Sequence, residues 1–333
     1  MFHNREYSVD YFREYVYSNE YVIITAGASG GVRSQKLLTE LPLARHIDIQ
    51  YSVKKNKTGT LEDLFVVSTN FQHDIHGKHF KSLYKDLAIF VDELNKISKC
   101  IIIDISELHL RFLGAFLAMM DGLQWDNIIA AYAEPTAYIR SQEISPEKIM
   151  DPAAPRIKGS FDLNTSFWGY DEIPNLKTTT RKRDKYIWIA FLGFEGKRAA
   201  AVHQEISDDS SITIPVITMP SIRPGWSSLA FEANQILFDN ARISCHGIEY
   251  VDALDPYASY NLIENVQVRN PQKHIVISPL GTRPVSLGVL LYAMRHEESE
   301  VYFDTPKESH SIIDDVGEVH FYDLLSFFIN NKE

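Results

Sequence analysis

The chain has 333 residues, 45% hydrophobic and 23% charged, so it has the composition of an ordinary folded protein and is long enough for two domains. Its formal net charge of -11 argues against a broad basic face for duplex DNA, but it is compatible with a local basic pocket. The N-terminus lacks the apolar core of a signal peptide, and no apolar run approaches the roughly 20 residues that span a bilayer. We therefore expect a cytoplasmic protein without a membrane partner.

Strand-like apolar runs alternate with helical patterns along the first half, an order typical of a parallel α/β sheet. The predicted strands are 21–26, 47–53, 61–69, 100–105 and 127–133, and the predicted helices are 32–40, 80–97 and 108–123. Residues 47–53 and 61–69 flank a turn-like stretch, so they form either a hairpin or successive strands. Together these elements predict an N-terminal Rossmann-like domain over 1–145.

Periodicity fades between 143 and 185, where four prolines and the basic run 180–183 interrupt it. Aromatic residues in the same stretch indicate that it packs on a domain. We therefore predict a connecting segment over 146–184.

The second half repeats the alternation more clearly. The predicted strands are 185–192, 211–219, 248–252, 274–278 and 300–303, and the predicted helices are 197–206, 227–238, 256–266, 285–295 and 319–329. They predict a C-terminal Rossmann-like domain over 185–333. The predicted fold class is thus α/β, with two Rossmann-like parallel-sheet halves packed together.

Cysteine and histidine spacing indicates no metal site. Cys100 and Cys245 fit a reducing compartment, and neither belongs to a ligand pattern. His73, His76 and His79 stand three residues apart, but their stretch lacks apolar periodicity, which favours a solvated loop. We predict no metal and no cofactor.

The strongest functional signal is the turn Gly281-Thr282-Arg283-Pro284, which ends an apolar strand and starts a helix. In a parallel α/β sheet this junction lies at the carboxyl edge, where such folds bind ligands. A glycine, a hydroxyl, a guanidinium and free helix amides suit a phosphate, and Ser278 stands beside them. We predict that Ser278, Gly281, Thr282 and Arg283 line a nucleotide-type site. The alternative is an ordinary strand-to-helix turn.

An earlier strand ends at Gly193, and Glu195, Lys197 and Arg198 follow at the start of the next helix. Cations in a first helical turn oppose the helix macrodipole unless an anion lies nearby. That anion is either Glu195 or a ligand phosphate. The spacing matches neither G-x-x-x-x-G-K-[ST] nor G-x-G-x-x-G, so we predict only that these four residues line the ligand.

Arg223 and Trp226 follow the next strand. We expect Arg223 to point off the carboxyl edge, whereas Trp226 either stacks on a base or packs against the sheet. After the following strand, Asp255 is expected to cap the helix that begins at Pro256. Asp252 is a candidate contact to a ribose hydroxyl.

The first half carries a second candidate phosphate cradle over 25–34, with Gly27, Ser29 and Arg33 as ligand contacts. The same stretch also fits a flexible glycine-rich connection. Asp104 ends a buried strand, and it either binds a hydroxyl or a metal or caps the helix that follows.

With a strand, a Gly-Thr-Arg-Pro turn and a helix in succession, residues 185–306 resemble the CRISPR-associated Rossmann-fold (CARF) sensor domains. In that family a strand-terminal Gly-Thr-Lys turn and a loop after an earlier strand hold a cyclic oligonucleotide. The resemblance implies that Gly281, Thr282 and Arg283 form the first element and that 193–198 supply the second. Arg283 stands where the family has lysine, which keeps the charge and changes the hydrogen-bonding geometry.

The sequence therefore predicts a nucleotide or cyclic-oligonucleotide binding protein, a sensor or accessory subunit of a prokaryotic antiviral defence system, and leaves open a protein partner and a homo-oligomer. One alternative is an enzyme acting on a nucleotide or sugar phosphate, in which Asp104, Asp252 or Asp255 handles a hydroxyl or a metal. Another is a non-catalytic interaction scaffold. No G-x-S-x-G or H-E-x-x-H motif is present, so no catalytic residue is assigned.

Overall fold

The computed structural model describes residues 16, 20–26, 31–42, 44–55, 57, 61–83, 85–136, 167–173, 176, 186–207, 211–243, 247–296, 298–306 and 316–329. The chain divides into two compact units. The first unit takes its described residues from 3–137, 173–176 and 313–333, and the second takes them from 138–172 and 177–312.

Strands and helices alternate through most of the described chain. As far as residue 135 the elements are β1 (Val22–Ala26), α1 (Val32–Glu40), β2 (Arg45–Lys55), β3 (Leu61–Thr69), β4 (His79–Phe80), α2 (Asp86–Ile97), β5 (Cys100–Asp104), α3 (Leu110–Met120) and β6 (Asn127–Pro135). From residue 167 they are β7 (Phe167–Glu172), β8 (Tyr186–Leu192), α4 (Gly196–Ile206), β9 (Ile212–Thr218), α5 (Trp226–Ala233), α6 (Gln235–Asn240), β10 (Glu249–Val251), α7 (Pro256–Arg269), β11 (His274–Pro279), α8 (Arg283–Arg295), β12 (Ser299–Pro306), β13 (Val316–Asp323) and α9 (Leu325–Ile329).

The sheet of the first unit has seven strands in the order β13-β6-β5-β1-β2-β3-β4. The four central strands β6, β5, β1 and β2 are parallel, and β13, β3 and β4 are antiparallel to their neighbours. Strand order reverses between β1 and β5, because β2 lies on one side of β1 and β5 on the other. This reversal is the topological switch point at which open α/β sheets bind ligands.

The sheet of the second unit has the order β10-β9-β8-β11-β12-β7. Its first five strands are parallel, and β7 pairs antiparallel with β12 at the edge. In chain order those five strands lie 3-2-1-4-5, which is the Rossmann arrangement, and the switch point falls between β8 and β11. The predicted α/β class with two Rossmann-like halves is confirmed.

Strand β8 shows why the sequence marks this sheet so clearly. All seven of its residues, Tyr186 to Leu192, are buried. A parallel sheet covered by helices on both faces requires apolar side chains at successive positions rather than at alternate ones. The uninterrupted apolar run therefore predicts a central parallel strand.

The last predicted element is wrong, because 319–329 was expected to form one helix and instead contains most of β13 followed by the short helix α9. Val319 and Phe321 alternate toward the core of the first unit, as strand residues do. Since β13 pairs with β6, the chain end completes the first sheet and not the second. Likewise β7, from the predicted connecting segment, completes the second sheet.

The predicted helix 227–238 is divided into α5 and α6, with Asn234 between them. The Asn234 side chain donates to the carbonyls of Gly193 and Ala230, at 2.8 and 2.7 Å. A side-chain amide that bonds nearby backbone competes with the helical hydrogen bonds.

No helix in the described ranges has the length and apolarity needed to cross a bilayer.

Helices α7 and α8 pack so closely that a side chain at position 288 would overlap α7. A Cβ on Gly288 of α8 would lie 2.0 Å from the Pro256 carbonyl oxygen and 2.1 Å from Ser259 Oγ. Ser259 Oγ donates to the carbonyls of Pro256 and Val285, at 2.8 and 3.1 Å, and so joins the two helices. Only glycine fits at position 288 without separating them.

Gly288→Ala is expected to lower the free energy of unfolding by about 1–3 kcal/mol, because the new methyl group overlaps a backbone oxygen that cannot rotate away. Urea denaturation followed by circular dichroism measures the change. Gly247→Ala is the matched control, since a Cβ there meets only Ile243 Cγ2, at 3.5 Å. Equal stability of the Gly288→Ala and Gly247→Ala proteins would contradict this packing.

Candidate functional site

The strongest candidate site lies at the carboxyl edge of the second sheet, at the switch point between β8 and β11. A Cβ on Gly193, just after β8, would lie 2.6 Å from the carbonyl oxygen of Leu280, just after β11. The Leu280 amide donates to the Phe191 carbonyl at 2.9 Å. The two predicted ligand loops are therefore in direct backbone contact.

The loops after β9 and β10 join the same edge. Thr282 Oγ1 donates to the carbonyl of Ala253, after β10, at 2.7 Å. The Ala253 amide in turn donates to the carbonyl of Pro220, after β9, at 3.0 Å. One side-chain hydrogen bond and one backbone hydrogen bond thus connect the loops after β9, β10 and β11.

Two further contacts connect these elements to the loop after β8. The rings of Phe194 and Trp226 meet edge to face, with centroids 5.5 Å apart and an interplanar angle of 88°. Asn234 holds the Gly193 carbonyl through the hydrogen bond described above. We call residues 193–195, 219–225, 252–255 and 280–282 the loop ring.

Helix N-termini surround the loop ring. The N-cap residues of α4, α5 and α8 are Glu195, Gly225 and Thr282, and none of the three forms a side-chain cap bond. The N-cap of α7 differs, because Asp255 accepts the amides of Tyr257 and Ala258. Helix N-termini carry partial positive charge, so the ring is a favourable place for an anion.

The cations of this edge differ in how they are held. Arg198 forms an ion pair with Glu195, and their side chains are only 13% and 11% exposed. Glu195, one of the two anions considered from the sequence, lies beside Arg198. Lys197 is exposed, and Arg223 and Arg283 are partly exposed.

Ser278 lies apart from the loop ring. Its side chain is fully buried, and its hydroxyl accepts a hydrogen bond from the Trp188 indole at 2.9 Å. This bond joins neighbouring strands inside the core, since Ser278 is on β11 and Trp188 on β8. Ser278 stabilises the sheet beneath the site and does not face a ligand at its edge.

In the first unit the predicted cradle is only partly described, since Gly27 and Ser29 lie outside the described residues. Arg33 is 7% exposed, and its Nε donates to Glu107 Oε1 at 2.9 Å. This pair joins α1 to the loop after β5. Arg33 therefore stabilises the first switch point from within the protein.

Asp104 is fully buried at the end of β5. Its carboxylate accepts the Ser34 hydroxyl and, at 2.9 Å, the Ser106 amide. The predicted capping role is wrong, because the N-cap of α3 is His109, whose side chain accepts the Arg111 amide. The Asp104 carboxylate instead holds the turn directly after β5. Burial raises the pKa of the Asp104 carboxyl, while the bonds to Ser34 and Ser106 oppose that shift.

A buried ionic cluster that the sequence did not predict joins the start of α3 to strands β2 and β3. Arg111 Nε donates to Asp63 Oδ1 at 3.0 Å, and both side chains are 3% exposed. The Tyr51 hydroxyl donates to the same oxygen at 2.6 Å. Burial, and secondarily the Asp63 carboxylate, raises the pKa of Tyr51, so this phenol remains a hydrogen-bond donor.

The Arg-x-x-x-x-His spacing of HEPN ribonucleases, which the sequence interpretation took to be absent, occurs at Arg198–His203 and Arg269–His274. In α4 a separation of five residues places the two side chains about 140° apart around the helix. The His203 ring packs 5.7 Å from that of Trp188, and burial lowers its pKa. Nε2 of His274 lies 3.5 Å from Glu300. Of these four side chains only Arg269 is exposed.

The fold and the loop ring define an α/β protein with a Rossmann-like sheet whose strand-end loops converge at the switch point. No family model matches the sequence, and no curated protein matches it. Among the residues that the structure describes, no group of three or more His, Cys, Asp or Glu could hold a metal ion.

The burial of Asp104 gives a test of the first switch point. A raised pKa means that the fold favours the neutral acid, so the wild-type protein loses stability as the pH rises above the unfolded value of 3.8. Asp104→Asn keeps an acceptor for the Ser106 amide and removes the charge. The unfolding free energy of the variant, minus that of the wild type, is expected to grow from pH 4 to pH 8.

Urea denaturation at several pH values measures this difference. Asp126→Asn, at an exposed position, controls for the loss of one negative charge. A pH-independent difference between Asp104→Asn and the wild type would show that Asp104 is accommodated as a carboxylate.

Proposed function

We propose that the second unit binds a nucleotide-type anion at the loop ring and acts as a CARF-like sensor of a nucleotide or cyclic oligonucleotide. The observation that carries this proposal is the convergence of four strand-end loops at the switch point of a Rossmann-ordered sheet. Such switch points are where open α/β sheets bind ligands. A sensor or accessory role in prokaryotic antiviral defence follows from the sequence resemblance and is part of the same proposal.

Charge and hydrogen-bonding chemistry favour a phosphate over a neutral ligand. The uncapped first turns of α4 and α8 offer backbone amides, and Arg283 begins α8. A guanidinium at a helix N-terminus opposes the macrodipole, and it donates charge-assisted hydrogen bonds to a phosphate placed there. Arg223 and Lys197 add positive charge from the neighbouring loop and helix.

The half-buried pair Phe194 and Trp226 favours a ligand that carries a base. Both rings are partly exposed, and their edge-to-face contact fixes the Trp226 ring beside the loop after β8. A fixed, partly exposed indole stacks a nucleobase without first losing rotamer entropy. The ligand that fits best therefore combines phosphate with an aromatic base.

The enzyme alternative has less support from the described geometry. Asp255 caps α7, Asp252 accepts the Leu254 amide at 2.8 Å, and Asp104 is buried among hydroxyl and amide donors. All three carboxylates named for catalysis thus have structural partners. Binding is the function that the arrangement supports best.

Arg283→Ala is expected to weaken nucleotide binding by roughly tenfold, because a charge-assisted hydrogen bond to phosphate is lost. Calorimetric titration of the full chain with ATP, AMP and cyclic di-, tri- and tetranucleotides measures the effect. Arg269→Ala is the matched control, since Arg269 is exposed at the far end of α7.

Two results would contradict the proposal. One is the failure of every nucleotide in the panel to bind the wild-type protein. The other is binding with equal affinity by the wild type, Arg283→Ala and Arg269→Ala. Intact ligand recovered by chromatography after incubation supports sensing, and converted ligand supports the enzyme alternative.

A further inference from the structure

Glu195 stands where the loop ring would receive an anion. It is the N-cap residue of α4, yet its side chain makes no cap bond to the helix amides. The carboxylate instead pairs with Arg198, one turn further along. Both side chains are close to nine-tenths buried, so the pair is largely screened from water.

The electrostatics of α4 explain why this pair forms. Lys197 and Arg198 lie in the first helical turn, where cations oppose the macrodipole. A carboxylate on the N-terminal side of the helix offsets that repulsion, and glutamate preceding arginine is the favoured order. The chain thus supplies an anion of its own to the start of α4.

A phosphate has the same attraction to Arg198 as the Glu195 carboxylate. Guanidinium binds both groups through parallel N–H···O bonds. A terminal phosphate carries about -1.5 to -2 charge at neutral pH, compared with -1 for a carboxylate. A terminal phosphate is therefore the stronger competitor for Arg198, whereas a ligand carboxylate or a phosphodiester, each with a charge of about -1, gains little over the group it displaces.

We propose that Glu195 is an internal competitor of the ligand: it occupies Arg198 in the ligand-free protein and releases it when a phosphate binds. This inference rests on the proposed function of the loop ring. Its consequence is selectivity, because ligands with a terminal phosphate displace Glu195, whereas carboxylate metabolites and phosphodiesters do not. The ion pair is thus part of the binding specificity of the site as well as of the stability of α4.

The test compares two single substitutions in the full chain. Glu195→Gln keeps the size of the side chain and removes its charge, and Glu232→Gln makes the same charge change at an exposed position of α5. Calorimetric titration with pyrophosphate, and with the nucleotide panel, gives the affinities. We expect Glu195→Gln to bind at least about fivefold tighter than the wild type, and Glu232→Gln to bind like it.

Arg198→Ala separates competition for Arg198 from simple repulsion of the ligand by Glu195. If Glu195 acts by occupying Arg198, the gain from Glu195→Gln disappears in the Arg198→Ala background, as a double-mutant cycle detects. A gain of equal size in both backgrounds overturns the proposal. Melting temperatures confirm that each variant is folded.

The remaining outcomes separate this inference from the proposed function. Nucleotide binding by the wild type, with Glu195→Gln no tighter than Glu232→Gln, overturns the competitor role and leaves the site intact. Binding by neither the wild type nor Glu195→Gln overturns both. Tighter binding of citrate than of pyrophosphate by the wild type also overturns the competitor role, because it reverses the predicted selectivity.

Discussion

The contact between two backbones at the switch point is the constraint on which the second unit's candidate site depends. Gly193 packs against the Leu280 carbonyl so closely that no side chain fits between them. The loops after β8 and β11 are therefore held in one relative position, and helices α4 and α8 begin at the ends of these loops. Thr282 extends these contacts to the loop after β10, and Asn234 extends them to the junction of α5 and α6, so the protein itself fixes the arrangement of the candidate site.

The two sheets use their switch points differently. In the first unit the polar side chains near the switch point bond to one another, as Arg33 does with Glu107 and Asp104 with Ser34. A buried network of this kind fixes one arrangement of the loops. In the second unit the Glu195–Arg198 pair is similarly buried, but Lys197 is exposed and Arg223 and Arg283 are partly exposed at the same edge. Similar folds thus support a rigid junction in one unit and a candidate binding edge in the other.

Local patterns in the sequence predict the α/β class and the glycine-containing turns at strand ends, because both depend on residues that are neighbours in the chain. Strand β13 escaped prediction because its local alternation, at Val319 and Phe321, is short and runs directly into the apolar residues of α9, while its partner β6 is far away in the chain. The Asp63–Arg111 pair escaped for the same reason, since its members are 48 residues apart. Asn234 has a weaker local signal: it is a polar residue with low helix propensity inside an apolar helical run.

The pairing of β13 with β6 makes the second unit an insertion into the first. Val316 lies opposite Pro135 in the ladder, so the chain leaves the first sheet and returns to it at facing residues. Apart from a brief passage of the first unit through 173–176, every described residue of the second unit lies between those two points. During synthesis the inserted unit is complete before the last strand of its host emerges. The N-terminal unit, although made first, finishes its sheet last.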